Sequence, residues 1–224
     1  MRRNQEPLRA KYPHLSGYSA FGSNPIYFTD PDGHWIKGVN DKAVTYKLNE
    51  DGCATWSKNA TEDAMRVGNA MLRTETGKNM LDNLIKVNHP INVLIKPDVN
   101  NKYAYIEYKF KGKSLNVKFA DLYIYEGTIF RDADIVNSGR YFESERGLLY
   151  TEFLKNGDIE AIIGSNGVHE GSHLNPENIK EVVTNQKLLK TKTPAQYDVE
   201  ILPINNEIKY LKELKQIIID KNEK

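Results

Sequence analysis

The spacing of apolar and polar residues divides the chain into an irregular beginning and a longer, regular remainder. Residues 1–33 are interrupted by Pro, Gly, Asn and Asp, and their one short apolar run, residues 26–28, lies between Asn-Pro and Asp-Pro turns. Such a segment is too short to form a hydrophobic core of its own. The regular patterns begin at residue 34, and we therefore expect residues 34–224 to form the folded domain.

The first part of that domain predicts short strands, two helices and a small sheet. The segment "WIKGVNDKAVTYKL" is typical of one or two short strands that end at a turn in residues 49–52. Residues 61–87 place apolar side chains at helical spacing, and we expect two helices with a break near Thr76 and Gly77. The segments "INVLIKP", "KYAYIEYKF" and "SLNVKFADLYIYEG" are rich in Tyr, Ile, Val and Phe, which predicts an antiparallel meander of about three strands.

The next part of the chain predicts two consecutive helices. The first takes Asp158 as its N-terminal cap and stops where Asn175 and Pro176 follow. We expect Asn175 to cap the second helix, with Pro176 in its first position, because proline suits the start of a helix. This second helix is expected to run roughly to residue 189.

A last helix is expected to begin at Pro203 and to end near residue 220. The sequence therefore predicts an α+β fold. In it, a small antiparallel sheet packs against the helix that follows Asp158, and further helices precede and follow that helix in sequence.

Composition and charge exclude several classes of protein. The 31 basic and 30 acidic residues give a net charge of +1, which argues against a nucleic-acid partner. The apolar runs are too short for a membrane span, and no apolar stretch follows the basic N-terminus, so we expect no secretory signal. The single cysteine, Cys53, excludes an internal disulfide and is expected to be a small packed side chain. Composition is consistent with a monomer and indicates nothing more about oligomeric state.

Residues 169–173 read "HEGSH", an H-E-x-x-H pattern on a predicted helix. Because a helix advances about 100° per residue, His169 and His173 can direct both imidazoles at one metal ion. Glu170 is badly placed to bind the same ion but can reach a water molecule bound to it. This pattern predicts a zinc hydrolase, in which zinc lowers the pKa of its water toward about 7 and Glu170 takes the proton.

A catalytic zinc ion normally has three protein ligands and a water molecule, so a third ligand is needed. No histidine follows His173, and a carboxylate is therefore expected. Glu207 falls within the apolar stripe of the last predicted helix, where a carboxylate is costly unless it is paired or bound to a metal. We expect Glu207 to be the third ligand, with Glu200 as the alternative. Glu177 and Glu181 are weaker candidates because they follow the second histidine so closely.

The helix that carries this motif contains several small residues. Gly164, Gly167 and Gly171 each cost up to about 1 kcal/mol of helix stability relative to alanine. They would allow a neighbouring strand or a substrate to approach the helix closely.

The other histidines and two nearby tyrosines have less specific signals. His14, His34 and His89 are expected to be packed or surface residues rather than ligands. Tyr197 and Tyr210 flank the expected ligand region, and either could donate a hydrogen bond to a developing oxyanion. A place in the hydrophobic core is the alternative for each tyrosine.

Two stretches of this sequence resemble known families. "GYSAFGSNPIYFTDPDG", residues 17–33, resembles the end of the core region of Rhs/YD-repeat proteins, where Asn-Asn-Pro followed by Asp-Pro-Asp-Gly closes the repeat shell. In that family a variable C-terminal toxin follows the junction, and residues 34–224 stand in that position. "VHEGSHLNPENI" followed by "PINNE" resembles the zincin-type metallopeptidase toxins found at Rhs C-termini.

The resemblance implies a zincin-like fold and a zinc-dependent metallopeptidase that acts as a bacterial toxin. It implies delivery into a competitor cell by a specialised secretion system, a protein or peptide substrate there, and a cognate immunity protein. A chain that is not delivered would be cytoplasmic. Asp30 and Asp32 match the junction aspartates that contribute to self-cleavage in such families, and a plain Asp-Pro-Asp-Gly turn is the alternative. The repeat shell is missing from this sequence, so the delivery route is not encoded in it.

Two other functions stay open at the level of sequence. Rhs tails are often nucleases, and histidine with glutamate could hold a divalent metal, although the near-zero net charge disfavours a nucleic-acid substrate. A non-catalytic interaction module that has lost its chemistry is the other alternative, and the glycines around the motif are compatible with it.

Overall fold

The computed structural model describes residues 36–50, 52–111, 117–140, 142–190 and 198–223. The irregular segment 1–33 and its boundary with the following domain lie outside these residues. Five residues considered above also lie outside the described residues: Asp30, Asp32, His14, His34 and Tyr197.

The described residues form an α+β fold with seven α-helices and two small sheets, which confirms the predicted fold class. The strands are β1 (Tyr46–Leu48), β2 (Ala54–Trp56), β3 (Ile91–Lys96), β4 (Ala104–Phe110) and β5 (Val117–Tyr125). The helices are α1 (Glu62–Met71), α2 (Glu75–Ile85), α3 (Glu126–Asn137), α4 (Glu145–Lys155), α5 (Ile159–His173), α6 (Pro176–Lys190) and α7 (Ile201–Asn222). Among the described residues, no helix is both long and apolar enough to cross a membrane.

The larger sheet is mixed, and the expected antiparallel meander is therefore wrong. Its strand order is β3-β5-β4, with β5 parallel to β3 and antiparallel to β4. The last strand in sequence takes the centre because it buries the most apolar surface: Ala120, Leu122 and Ile124 are completely buried. β1 and β2 form a separate antiparallel hairpin, which agrees with the turn predicted in residues 49–52.

The break between the first two helices lies a few residues before the predicted one. α1 ends at Met71, and α2 begins after Thr74, whose hydroxyl accepts a hydrogen bond from the Gly77 amide at 3.0 Å. Gly77 therefore belongs to the first turn of α2 rather than to a break. A Cβ atom on Gly77 would lie 2.0 Å from the Met71 carbonyl oxygen, so a glycine is needed for the two helices to meet this closely.

Helix α5 is the central element of the domain. Twelve of its fifteen residues are buried, and it contacts α1, α2, α4, α7 and the strands β4 and β5. Its small residues allow this close packing: a Cβ atom on Gly164 would lie 2.2 Å from the Tyr210 hydroxyl, and one on Gly171 would lie 2.8 Å from Met80. The close neighbours of these glycines belong to other helices, α1, α2 and α7, rather than to a strand.

Two further expectations concern single residues. Cys53 is exposed, so the prediction of a packed cysteine is wrong. It follows the turn that contains Gly52, whose φ of 80° only glycine adopts easily, and the turn projects from the end of a two-stranded hairpin. His89 is buried, in agreement with its expected packing role.

The start of α5 is fixed by a charged pair as well as by its cap. Asp158 caps the helix as predicted, because its Oδ1 accepts a hydrogen bond from the Ala161 amide at 3.0 Å. The same carboxylate accepts two hydrogen bonds from Arg73, at 2.7 Å from Nη1 and 2.6 Å from Nη2. Such two-point pairs hold both partners in one geometry, so the turn between α1 and α2 is joined to the start of α5.

Replacement of Asp158 by alanine should destabilise the domain more than most substitutions of partly exposed residues do. The variant loses the cap and the two-point pair together, and we expect the free energy of unfolding to fall by about 2 to 3 kcal/mol. Urea denaturation would measure it. Lys209→Met is the matched control, because Lys209 is exposed and 3.9 Å from Glu213, and it should change stability by less than about 0.5 kcal/mol. An Asp158→Ala variant as stable as this control would contradict the role of the pair.

Candidate metal centre

The two histidines of the H-E-x-x-H motif lie on one face of α5, as their spacing predicts. Their ring centroids are 5.3 Å apart and their planes are inclined at 68°. The His169 side chain is 9% exposed and that of His173 is 12% exposed, so both are largely shielded from solvent. Nearly buried imidazoles four residues apart are suited to share one metal ion.

Glu200 completes a group of three possible ligands. It directly precedes α7, and its Oε2 lies 3.2 Å from His169 Nε2 and 3.6 Å from His173 Nε2. One ligand atom from each of the three side chains lies within 4.8 Å of the other two. The structure therefore brings together His169, His173 and Glu200, a set that could hold a metal ion.

Glu207, the expected third ligand, occupies a different position. It is completely buried, as its place in the apolar stripe predicts, but its Oε2 lies 2.9 Å from His169 Nδ1. Nδ1 is the ring nitrogen opposite the one that faces Glu200. Residues seven apart share one face of a helix, about 10 Å apart along its axis, so α7 places Glu200 and Glu207 on either side of the His169 ring. Glu207 thus lies on the far side of the His169 ring, and Glu200, the alternative from sequence, lies with the two histidines.

The buried Glu207 carboxylate has several hydrogen-bond donors besides His169. Arg146 Nε lies 2.9 Å from its Oε2, and the Tyr150 hydroxyl donates to its Oε1. Asn166 in turn donates to the Tyr150 oxygen at 2.9 Å. A carboxylate without solvent contact needs such compensation, because an isolated buried charge would be very unfavourable.

The protonation equilibria of this group follow from the same contacts. Burial lowers the pKa of His169, but hydrogen bonds to Glu200 and Glu207 outweigh burial and raise this pKa to about 9. Hydrogen bonds to His169 and His173 lower the pKa of Glu200 well below its ordinary value. The metal-free protein therefore holds a proton between an imidazole and two carboxylates, and a metal ion would compete with that proton for Nε2.

Glu170 is buried beside the two histidines. Burial raises the pKa of its carboxyl group, although the nearby His169 and His173 partly offset that effect. A carboxylate whose pKa is raised is a stronger base than an exposed one, which suits it to proton transfer.

These side chains open into a cleft of about 800 Å³. Its walls include residues of β4, of α4, α5 and α6, and of the segment before α7. Tyr108 of β4 lies in this wall and donates a hydrogen bond to the His173 carbonyl oxygen at 3.0 Å. Burial raises the pKa of the Tyr108 hydroxyl, which therefore stays protonated. The cleft gives the histidines, Glu170 and Glu200 a common space in which a ligand could bind.

The site also contains residues that sequence reasoning did not single out. Arg146 and Tyr150 come from α4, a helix that no motif marks, and Tyr108 comes from a strand whose tyrosines look alike in sequence. Tyr210 is a core residue, because its buried hydroxyl donates to the Ala70 carbonyl oxygen at 2.7 Å. It is therefore not available as an oxyanion donor.

Comparison of the chain with protein-family models, with curated proteins and with solved structures gave no match. The interpretation of the site therefore depends on the geometry of these residues.

The different positions of Glu200 and Glu207 predict different losses of zinc affinity. Glu207→Gln retains an acceptor for His169 Nδ1 but weakens its orientation, and we expect the affinity to fall about 10- to 100-fold. Glu200→Gln removes a ligand and should cost more. Competition with a chromogenic chelator would measure both, with Glu181→Gln as a control that should bind zinc like the unchanged protein. A larger loss for Glu207→Gln than for Glu200→Gln would restore Glu207 as the ligand.

Proposed function

We propose that this chain is a zinc-dependent metallopeptidase. The observation that carries the proposal is the group of His169, His173 and Glu200 in a cleft, with the buried Glu170 directly beside it. Two imidazoles, one carboxylate and a neighbouring carboxylate base form the donor set of a hydrolytic zinc site.

The donor set fits zinc better than the other common divalent ions. Mg²⁺ and Ca²⁺ prefer oxygen ligands, whereas two imidazole nitrogens and one carboxylate suit Zn²⁺. Three protein ligands beside a cleft are typical of a catalytic site, because a structural zinc site is closed by four. The Glu207 contact on His169 Nδ1 supports this interpretation, since zinc-bound histidines usually donate their other N–H to a carboxylate or carbonyl.

When bound, the zinc ion would act as a Lewis acid that polarises a carbonyl group and acidifies a water molecule. Glu170 is the general base: its carboxylate takes the proton of the attacking water and transfers it to the departing amine nitrogen. Its burial keeps competing water away and raises its basicity. Glu207 holds the His169 ring in one orientation, and Tyr150 and Arg146 hold Glu207.

A peptide substrate is supported by the position of β4. This strand lies at the edge of the three-stranded sheet, and residues 103–106 and Tyr108 line the cleft. Within the described residues, its outer edge pairs with no strand. An extended peptide could therefore pair with the main chain of β4 and pass the metal group. The combination of this edge strand with the motif helix α5 and the C-terminal helix α7 supports a zincin-like fold as part of the proposal.

The proposed biological role is that of a toxin. It is supported by the resemblance of residues 17–33 to an Rhs junction and of the motif region to zincin-type toxins, so the proposal includes delivery from a bacterium into a competitor cell. A cognate immunity protein would protect the producing cell. The near balance of 31 basic and 30 acidic residues favours the peptidase over a nuclease.

Metal analysis tests the site. We expect about one zinc ion per chain in the purified protein and much less in His173→Ala, because two of three ligands hold zinc poorly. His14→Ala is the control for loss of an imidazole elsewhere in the sequence and should retain the zinc. A protein without zinc even after its addition would contradict the proposal.

Replacement of Glu170 by glutamine tests the mechanism. Glutamine matches glutamate in size but cannot take a proton, so hydrolysis of peptides or of a casein substrate should fall by at least about 10²-fold. Zinc content should stay at the level of the unchanged protein, because Glu170 is not a ligand. A fully active Glu170→Gln variant would overturn the role of this residue as the base.

A further inference from the structure

The charged side chains along the cleft are unevenly distributed. Its acidic lining residues are Glu170 and Glu200, which the proposed function already uses as base and ligand. Apart from the two histidines, the remaining charged residues in the described lining are both basic, namely Lys102 and Arg146. The basic side chains of the cleft lining therefore lie outside the metal group.

Arg146 is held in place by contacts on one side of its guanidinium group. Its Nε lies 2.9 Å from the buried Glu207 carboxylate, and Nη2 lies 3.4 Å from the Tyr150 hydroxyl. The group also stacks over the Tyr150 ring, with Cζ 5.2 Å from the ring centroid. An arginine restrained in this way loses little conformational freedom when it binds a ligand.

The same side chain also faces the cleft. Arg146 lines the cleft, and its side chain is 31% exposed. A guanidinium group has five N–H donors, and the contacts with Glu207 and Tyr150 use two of them. The others suit a planar acceptor with two oxygens, because arginine and carboxylate pair through two parallel hydrogen bonds.

The position of Arg146 relative to the metal group limits where such a carboxylate would lie. Arg146 Nε and His169 Nδ1 both lie 2.9 Å from the same Glu207 oxygen, and His169 Nε2 faces the opposite way, toward Glu200. The guanidinium is therefore within roughly 10 Å of the metal group. An extended peptide advances about 3.3 to 3.6 Å per residue, so this separation spans no more than about three residues.

We infer that Arg146, assisted by Lys102, binds a carboxylate of the peptide substrate close to the bond that is cleaved. This inference rests on the proposed peptidase function and names the class of its substrates. The carboxylate has two possible sources, the free C-terminus of the peptide or the side chain of an aspartate or glutamate. Arg146 is thus a specificity-determining residue that also supports Glu207.

Peptide binding tests the inference without relying on turnover. Two fluorescein-labelled peptides have the sequence Ala-Gly-Phe-Leu-Ala, one with a free C-terminal carboxyl group and one amidated. The third peptide is amidated Ala-Gly-Phe-Leu-Glu, which differs from the second only in its last residue. Fluorescence anisotropy measures their affinity for the zinc-loaded Glu170→Gln variant, which binds without cleaving. We expect at least one acidic peptide to bind about tenfold or more tightly than the neutral amide. A preference for the free C-terminus or for the glutamate side chain identifies the source of the carboxylate.

Variants then assign that preference to Arg146. In the same background, Arg146→Gln should bind acidic and neutral peptides equally, and Arg146→Lys should retain part of the preference because it keeps the charge but not the paired donors. Arg140→Gln, an exposed arginine outside the cleft lining, should leave the preference unchanged. Circular dichroism and zinc content establish that each variant is folded, and Lys102→Gln, at an exposed residue, provides a second test if Arg146→Gln does not fold.

The outcomes separate the inference from the proposed function. Equal binding of all three peptides, or a preference that persists in Arg146→Gln, would overturn the inference, since the carboxylate would then lie elsewhere, such as on the metal. The peptidase proposal can fail separately. If the preference depends on Arg146 but the protein with Glu170 intact cleaves none of the peptides, that result would contradict the peptidase proposal and support the carboxylate site.

Discussion

The buried carboxylate of Glu207 is the interaction on which the arrangement of this site depends. A negative charge with no solvent contact requires donors around it, and three residues of two helices supply them: His169 from α5, and Tyr150 and Arg146 from α4. Because each partner must satisfy the same two oxygens, the relative positions of α4, α5 and α7 are closely defined. Removal of one partner would leave the others with an uncompensated charge, so the network rigidifies the face of α5 that carries the motif.

The close packing of α5 gives this network a fixed foundation. Small residues on α5 let Tyr210 and Met80 approach the helix backbone, and Arg73 fixes the helix start through Asp158. A helix that is buried on nearly all sides has little freedom to rotate or shift. The two histidines thereby keep one relative orientation before any metal ion is bound. That preorganisation matters because a ligand set that must rearrange on binding loses part of its affinity.

Local sequence signals predicted the motif helix well. Features that depend on pairing between distant segments were not predicted. The start of α5 follows from the cap Asp158, which acts within a few residues of itself, and α6 begins at Pro176, as predicted. The mixed sheet did not follow, because strand order depends on which strand buries most surface, and helices α3 and α4 carry no motif. The choice of third ligand could not be decided from sequence for a related reason: burial singled out Glu207, but a buried carboxylate can serve either as a ligand or as the partner of one. These two roles differ in which nitrogen of the His169 ring the carboxylate faces. The spacing of residues along the chain does not determine which nitrogen that is.

Glu200 and Glu207 lie in different electrostatic environments. Glu207 shares its charge with Arg146 and with the Tyr150 hydroxyl, and its contact with His169 both orients the ring and raises the pKa of that imidazole. Glu200 is 54% exposed and faces the two imidazoles, so its charge is available to a metal ion that joins them. Exposure also makes it less costly to keep Glu200 ionised while the site is metal-free. Glu207 is therefore part of the buried network, and Glu200 is the carboxylate whose charge could serve a metal ion. Arg146 pairs with Glu207 and also lines the cleft, so the residue that supports the proposed metal group borders the space where a proposed substrate would lie.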